Sequence, residues 1–164
     1  MSVESLGRLL APWADYYSAH TVVQSGLLFA HFAGMLAGGG VAFATDRETY
    51  RTRASDDERR RQLARVSAAH PIVLGGLGVA FASGLLLLAA DFEALIVVPM
   101  FWIKMGLLAI LIGNGAVMAR AGHRAGADPG AFPRAWTTLQ RTAVISAVLW
   151  FAVVASGVLM MDNT

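Results

Sequence analysis

Pro71-Ile72-Val73-Leu74-Gly75-Gly76-Leu77-Gly78-Val79-Ala80-Phe81-Ala82-Ser83-Gly84-Leu85-Leu86-Leu87-Leu88-Ala89-Ala90 runs for 20 residues without a charged side chain. A helix needs about 20 mostly apolar residues to cross the hydrocarbon core. The run is too long for a core strand and lacks the period-2 alternation of a barrel strand. Inside hydrocarbon, only helices and closed barrels satisfy their own backbone, so the run reads as a transmembrane helix. Three further stretches qualify on the same grounds, at 21–45, 98–119 and 142–161. The expected fold is all-α and integral to the membrane: a four-transmembrane-helix up-down bundle in a single domain.

Composition agrees. Of 164 residues, 56% are apolar and 15% charged, where a soluble domain carries about 25% charged. The absence of cysteine excludes disulfides, thiolate nucleophiles and cysteine-ligated metals. A net charge of +2 is too small to suggest nucleic acid as a partner. The lipid bilayer is the partner that the spans require.

The distribution of charge is more informative than its sum. Arg47, Arg51, Arg53, Arg59, Arg60, Arg61 and Arg65 fall in the first connection, 46–66, and Arg120, Arg124, Arg134 and Arg141 in the third, 120–141. The second connection has no basic residue, and the N-terminal segment has only Arg8. The positive-inside rule then places loops 46–66 and 120–141 in the cytoplasm and both termini outside.

Residues 1–19 lack the basic start and apolar run of a cleavable signal peptide. Leu6, Leu9, Leu10, Trp13, Tyr16 and Tyr17 recur near helical spacing, with Pro12 interrupting. This predicts an amphipathic segment in the outer interface, its aromatics at headgroup level. Ser55-Asp56-Asp57-Glu58 matches a capping box and predicts a helix starting there and running into the second span. Pro71 predicts a bend or break at His70. Gly126, Asp128, Pro129, Gly130 and Pro133 predict an irregular third connection.

Between helices in lipid, close approach at small residues replaces the hydrophobic force. Gly34 and Gly38 in the first span, Gly76, Ala80 and Gly84 in the second, and Ala109 and Gly113 in the third are the candidates. They serve either ordinary bundle packing or room for a flat cofactor.

Polar groups within a span are costly and so are functional candidates. His31 lies about ten residues into the first span, roughly 15 Å deep, on one face with Gln24, Gly34 and Gly38. A neutral imidazole there can ligate haem iron, relay a proton or hydrogen-bond a neighbouring helix. Lys104, the sole lysine, sits five or six residues into the third span. It either snorkels to the outer surface beside Trp102 or faces the bundle interior as a cation for a haem propionate, an acidic substrate group or a quinone oxygen.

His20 and His70 sit at opposite membrane edges, and neither shares a depth with His31. A bis-histidine haem is therefore not expected; a haem here would take His31 alone or with a non-histidine partner. His123 falls in the third connection with no special role expected. Asn114 and Ser83 are candidates for interhelical hydrogen bonds. Asp91, Glu93 and Asp162 gather at the outer face, and no acidic pair lies within the bilayer. No nucleophile–base pairing, phosphate loop or metal-ligand spacing appears.

Ser83-Gly84-Leu85-Leu86-Leu87-Leu88-Ala89-Ala90-Asp91, a short loop, then Pro99-Met100-Phe101-Trp102-Ile103-Lys104-Met105-Gly106-Leu107-Leu108 resembles a unit of the copper-resistance protein D group. It also resembles uncharacterised four-span bacterial proteins near that group and the HemJ-type protoporphyrinogen oxidases. Ala30-His31-Phe32-Ala33-Gly34 is similar to their first-span histidine followed by small residues. Ser146-Ala147-Val148-Leu149-Trp150-Phe151 with Ser156-Gly157 is similar to the last helix of the uncharacterised group. The resemblance covers about residues 21–160. It implies a bacterial cytoplasmic (inner) membrane protein and haem b, with His31 and Lys104 matching the functional histidine and lysine of the HemJ-type enzymes. The first loop is more arginine-rich than theirs, which leaves enzyme activity open. Copper handling fits worse, because the methionines are scattered.

Two readings follow. One is a haem-b-binding protein, His31 on the iron and Lys104 as a nearby cation, in a redox or haem-related role. The other is a non-catalytic accessory subunit packing through its glycine faces and N-terminal segment against other membrane subunits, or against copies of itself.

Overall fold

Each apolar run forms a helix, and all four helices continue beyond the run that announces them. The computed structural model describes residues 3–52, 55–128 and 130–161. Among these there are six helices and no strand: α1 Val3–Ala19, α2 Thr21–Arg51, α3 Asp56–Ala90, α4 Phe92–Ile96, α5 Pro99–Ala127 and α6 Phe132–Met161. Four of them, α2, α3, α5 and α6, are long and apolar enough to cross a membrane. The chain is an all-α four-span membrane bundle. Arg53, Pro129 and the C-terminal Asp162 lie outside the described residues.

The side chains that point away from the bundle are large and apolar: Leu36 is 77% exposed and Phe29 74%. In water so much apolar surface would be an association liability. Against acyl chains it is the expected exterior.

Several local expectations are corrected. The chain does not break at His70: α3 is continuous through Pro71. A proline inside a membrane helix removes one ladder bond, and local adjustment with neighbouring helices absorbs the loss. The third connection is mostly helix, with α5 running to Ala127 and α6 starting at Phe132. Between them, Asp128 Oδ1 accepts from the Gly130 amide at 2.8 Å, and Gly130 and Ala131 form a turn. His123 accordingly sits on a helix. Ser55 does cap α3, but its side chain makes no capping bond; the Glu58 and Arg59 amides donate to its backbone carbonyl instead. The second connection contains a single helical turn, α4. Pro12 lies inside α1 without ending it.

The four long helices form two close hairpins, α2 with α3 and α5 with α6, joined where α2 meets α6. The α2–α3 contact is made by glycine. A Cβ built on Gly76 would lie 2.5 Å from the Gly38 nitrogen, and one on Gly34 would lie 2.7 Å from the Gly76 oxygen, so backbone meets backbone. Across α2–α6, the Trp150 ring rests on Gly39 within a core of Ala42, Leu111, Leu149 and Val153. A second core, Ala121, Ala125, Phe132, Ala135, Trp136 and Leu139, locks α5 to α6 at the arginine-rich end, and Asn114 donates across the pair to the Thr142 carbonyl at 2.9 Å. By contrast, α3 and α5 barely approach one another. The seam between them stays open and holds both cavities described below.

Helix α1 packs on α3, α2 and α4 at the opposite end. Trp13 Nε1 donates to the Leu86 carbonyl at 2.9 Å, and Gln24 Nε2 donates back to the Tyr17 and Ser18 carbonyls. Trp13→Phe keeps an aromatic ring and removes the donor, a loss of about 1 kcal/mol. Hydrogen exchange should then quicken by about fivefold in residues 3–19 while the long helices stay protected.

Candidate functional site

Between the two hairpins, at the α1 end of the seam, lies a cavity of about 260 Å³. Its lining is apolar except for two side chains, and these are His31 and Lys104. The two residues are 73 positions apart on α2 and α5, and the fold brings them into one chamber.

His31 Nδ1 lies 2.7 Å from the Ala80 carbonyl oxygen and 3.2 Å from Ser83 Oγ. A carbonyl cannot donate, so Nδ1 carries the proton. The Ser83 hydroxyl is already committed as a donor to the Val79 carbonyl at 2.6 Å, which leaves it an acceptor toward the imidazole. The interhelical hydrogen bond expected of a structural histidine is therefore present. It also fixes the tautomer, and Nε2 has no hydrogen-bond partner among the described residues. Gly84 makes room for the ring: a Cβ there would lie 3.0 Å from His31 Cε1.

Lys104 lines the cavity rather than pointing only to the membrane surface. Its Nζ comes within 3.5 Å of where a Cβ of Gly157 would stand, which places the ammonium beside the α6 backbone. It has no ion-pair partner among the described residues.

The remaining histidines are elsewhere. His20 precedes α2, stacks on Tyr16 at 4.2 Å and bonds the Tyr16 carbonyl at 2.7 Å. His70 and His123 line a different cavity, at the arginine-rich end. No second imidazole shares the His31 chamber. Met105 on α5 and Met160 on α6 do line it, and a thioether is a recognised partner for histidine on haem iron. Among the described residues no group of three or more His, Asp or Glu could hold a bare metal ion.

The sequence reading misses several buried polar groups, Thr49, Gln62 and Thr142 among them, and one charged residue. Asp46, read as the first residue of the loop, is inside α2 and 3% exposed. Ser146 of α6 is near its carboxyl, while Oδ2 has no hydrogen-bond partner among the described residues. Nearby, Gln62 Nε2 bridges to the Thr45 carbonyl and Thr49 Oγ1 at 3.2 and 3.1 Å. The signal was available: Gly34, Gly38, Ala42 and Asp46 recur every four residues, so the aspartate continues the packed stripe.

Comparison with protein-family models, with curated proteins and with solved structures found no match.

Proposed function

We propose that the chain binds haem b in the His31–Lys104 chamber and serves a redox or haem-related role in a bacterial cytoplasmic membrane, both termini outside. The supporting observation is the setting of His31: Nδ1 lies 2.7 Å from a backbone carbonyl, which orients the ring, and the residue lines an otherwise apolar chamber. Histidine ligands of metals are commonly oriented in this way. The chamber is somewhat smaller than the 300–1,000 Å³ usual for ligand sites, but the open α3/α5 seam lets a flat molecule extend between the hairpins. His31 would hold the iron, Met105 or Met160 would stand as a second ligand, and Lys104 would pair with a propionate. When bound, haem would supply one-electron chemistry. The residues themselves orient the imidazole, exclude water and hold a counter-charge.

The accessory-subunit reading has its own support. A Cβ added at Gly75, Gly78, Gly106 or Gly113 would meet nothing, so these faces are free to pack against another membrane subunit.

An absorption spectrum of the detergent-purified protein, oxidised and dithionite-reduced, tests the first reading. The expected result is a Soret band, sharp reduced α and β bands and a pyridine haemochrome near one haem per chain. A folded but colourless protein, expressed with haem supplied, would overturn it and favour the accessory role.

A further inference from the structure

The second cavity in the α3/α5 seam lies at the arginine-rich end and has a volume of about 750 Å³. Its walls are α3 from Arg60 to His70 and α5 from Met118 to Ala127. Because α3 and α5 run in opposite directions, Arg60 and the C-terminal turn of α5 form its mouth. His70 and Met118 stand about ten residues deeper, roughly 15 Å along the axis.

The lining has two chemistries. Arg60, His123, His70 and Ser67 offer donors, and no acidic residue lines the cavity among those described. Leu63, Val66 and Met118 provide apolar wall. Arg60 makes no ion pair among the described residues, unlike its neighbour Arg59, which is bound to Asp56 at 3.2 Å. Instead the Arg60 guanidinium lies 4.8 Å over the Phe132 ring, which steadies it without neutralising it. A fixed, uncompensated cation at the rim of a partly apolar cleft is complementary to an anion with a hydrocarbon tail. A free anion would leave the apolar wall unused, and a neutral lipid would leave the guanidinium unused. The position, where apolar spans give way to arginine-rich ends, is that of lipid headgroups.

We propose that this cavity binds an anionic phospholipid, its phosphate at Arg60 and His123 and its glycerol and first methylenes against Leu63, Val66 and Met118. The site is separate from the His31 chamber and stands whether or not haem is bound there.

Native mass spectrometry of the delipidated full chain tests this, titrating phosphatidylglycerol against phosphatidylcholine with the same acyl chains. One phosphatidylglycerol should be retained under activation that strips phosphatidylcholine. Arg60→Gln combined with His123→Gln should weaken that binding about tenfold, the scale of one charge-assisted contact. Arg61→Gln removes the same charge from outside the cavity and should leave it unchanged. Equal retention of the two lipids, or an equal loss in Arg61→Gln, would overturn the proposal in favour of diffuse attraction. Inorganic phosphate, added alone, should neither raise the melting temperature nor displace the lipid at millimolar concentration; if it does both, the site takes a free anion instead.

Discussion

On the haem-binding reading proposed above, His31→Ala is expected to yield a folded protein that retains no haem. Haem retention should fall by more than about 100-fold, since disturbing even the groups that orient a metal ligand costs 10–100-fold. The fold should survive. The imidazole contributes one interhelical hydrogen bond to Ala80, and such bonds within membranes are worth roughly 1–2 kcal/mol at most. The decisive variant is His31→Gln. A glutamine amide can still donate toward the Ala80 carbonyl from α2, but it is a poor ligand for iron. If His31 serves only to tie α2 to α3, glutamine should restore the melting temperature and leave any colour unchanged. If it ligates iron, glutamine restores stability while the Soret band stays absent. Lys104→Met should behave differently again: the apolar stem remains, the counter-charge goes, and the bound haem should shift in reduction potential while keeping its spectrum. Haem retained in His31→Ala would sink the assignment of this residue.

The four spans were legible because membrane insertion is decided by summed apolarity over about 20 residues, and a window such as 71–90 carries that sum by itself. Helix ends were less legible. Hydropathy falls where a helix leaves the hydrocarbon, but the hydrogen-bond ladder need not stop there. So α2 continues to Arg51, and α5 and α6 nearly meet at Asp128. This is why hydropathy puts Asp46 in a loop when it continues the stripe of Gly38 and Ala42. The cost of burying polar groups singled out His31 and Lys104 individually. Their sharing of a chamber was beyond sequence reading: spans apolar all round give no period to say which face meets which helix. Gly84 illustrates the limit. Spacing puts it on one packing stripe with Gly76 and Ala80, yet Gly76 seats the α2 backbone and Gly84 seats the His31 ring.

That distinction makes Gly76→Ala the most damaging small substitution expected in the bundle. Its new methyl group would lie 2.5 Å from the Gly38 nitrogen and 2.7 Å from both the Gly34 oxygen and the Gly38 Cα. These are backbone atoms of α2, so no rotamer change relieves the clash and the helices must separate. Overpacking costs about 1–3 kcal/mol and more where nothing yields; replacing glycine in a helix returns about 1 kcal/mol. A net loss of roughly 2 kcal/mol corresponds to a fall in melting temperature of about 4–8 °C for a chain of this size. Gly78→Ala, two residues away on the same helix, meets nothing within 4 Å and should be neutral or slightly stabilising. The pair also bears on the site. Moving α3 away from α2 draws the Ala80 carbonyl, four residues from Gly76, off His31 Nδ1, so Gly76→Ala should weaken haem retention where Gly78→Ala does not. Thermal unfolding and haem content, measured on both variants in one detergent, read the two effects together. Equal melting temperatures would show that α2 and α3 are not in backbone contact, and the oriented imidazole would lose its structural basis with them.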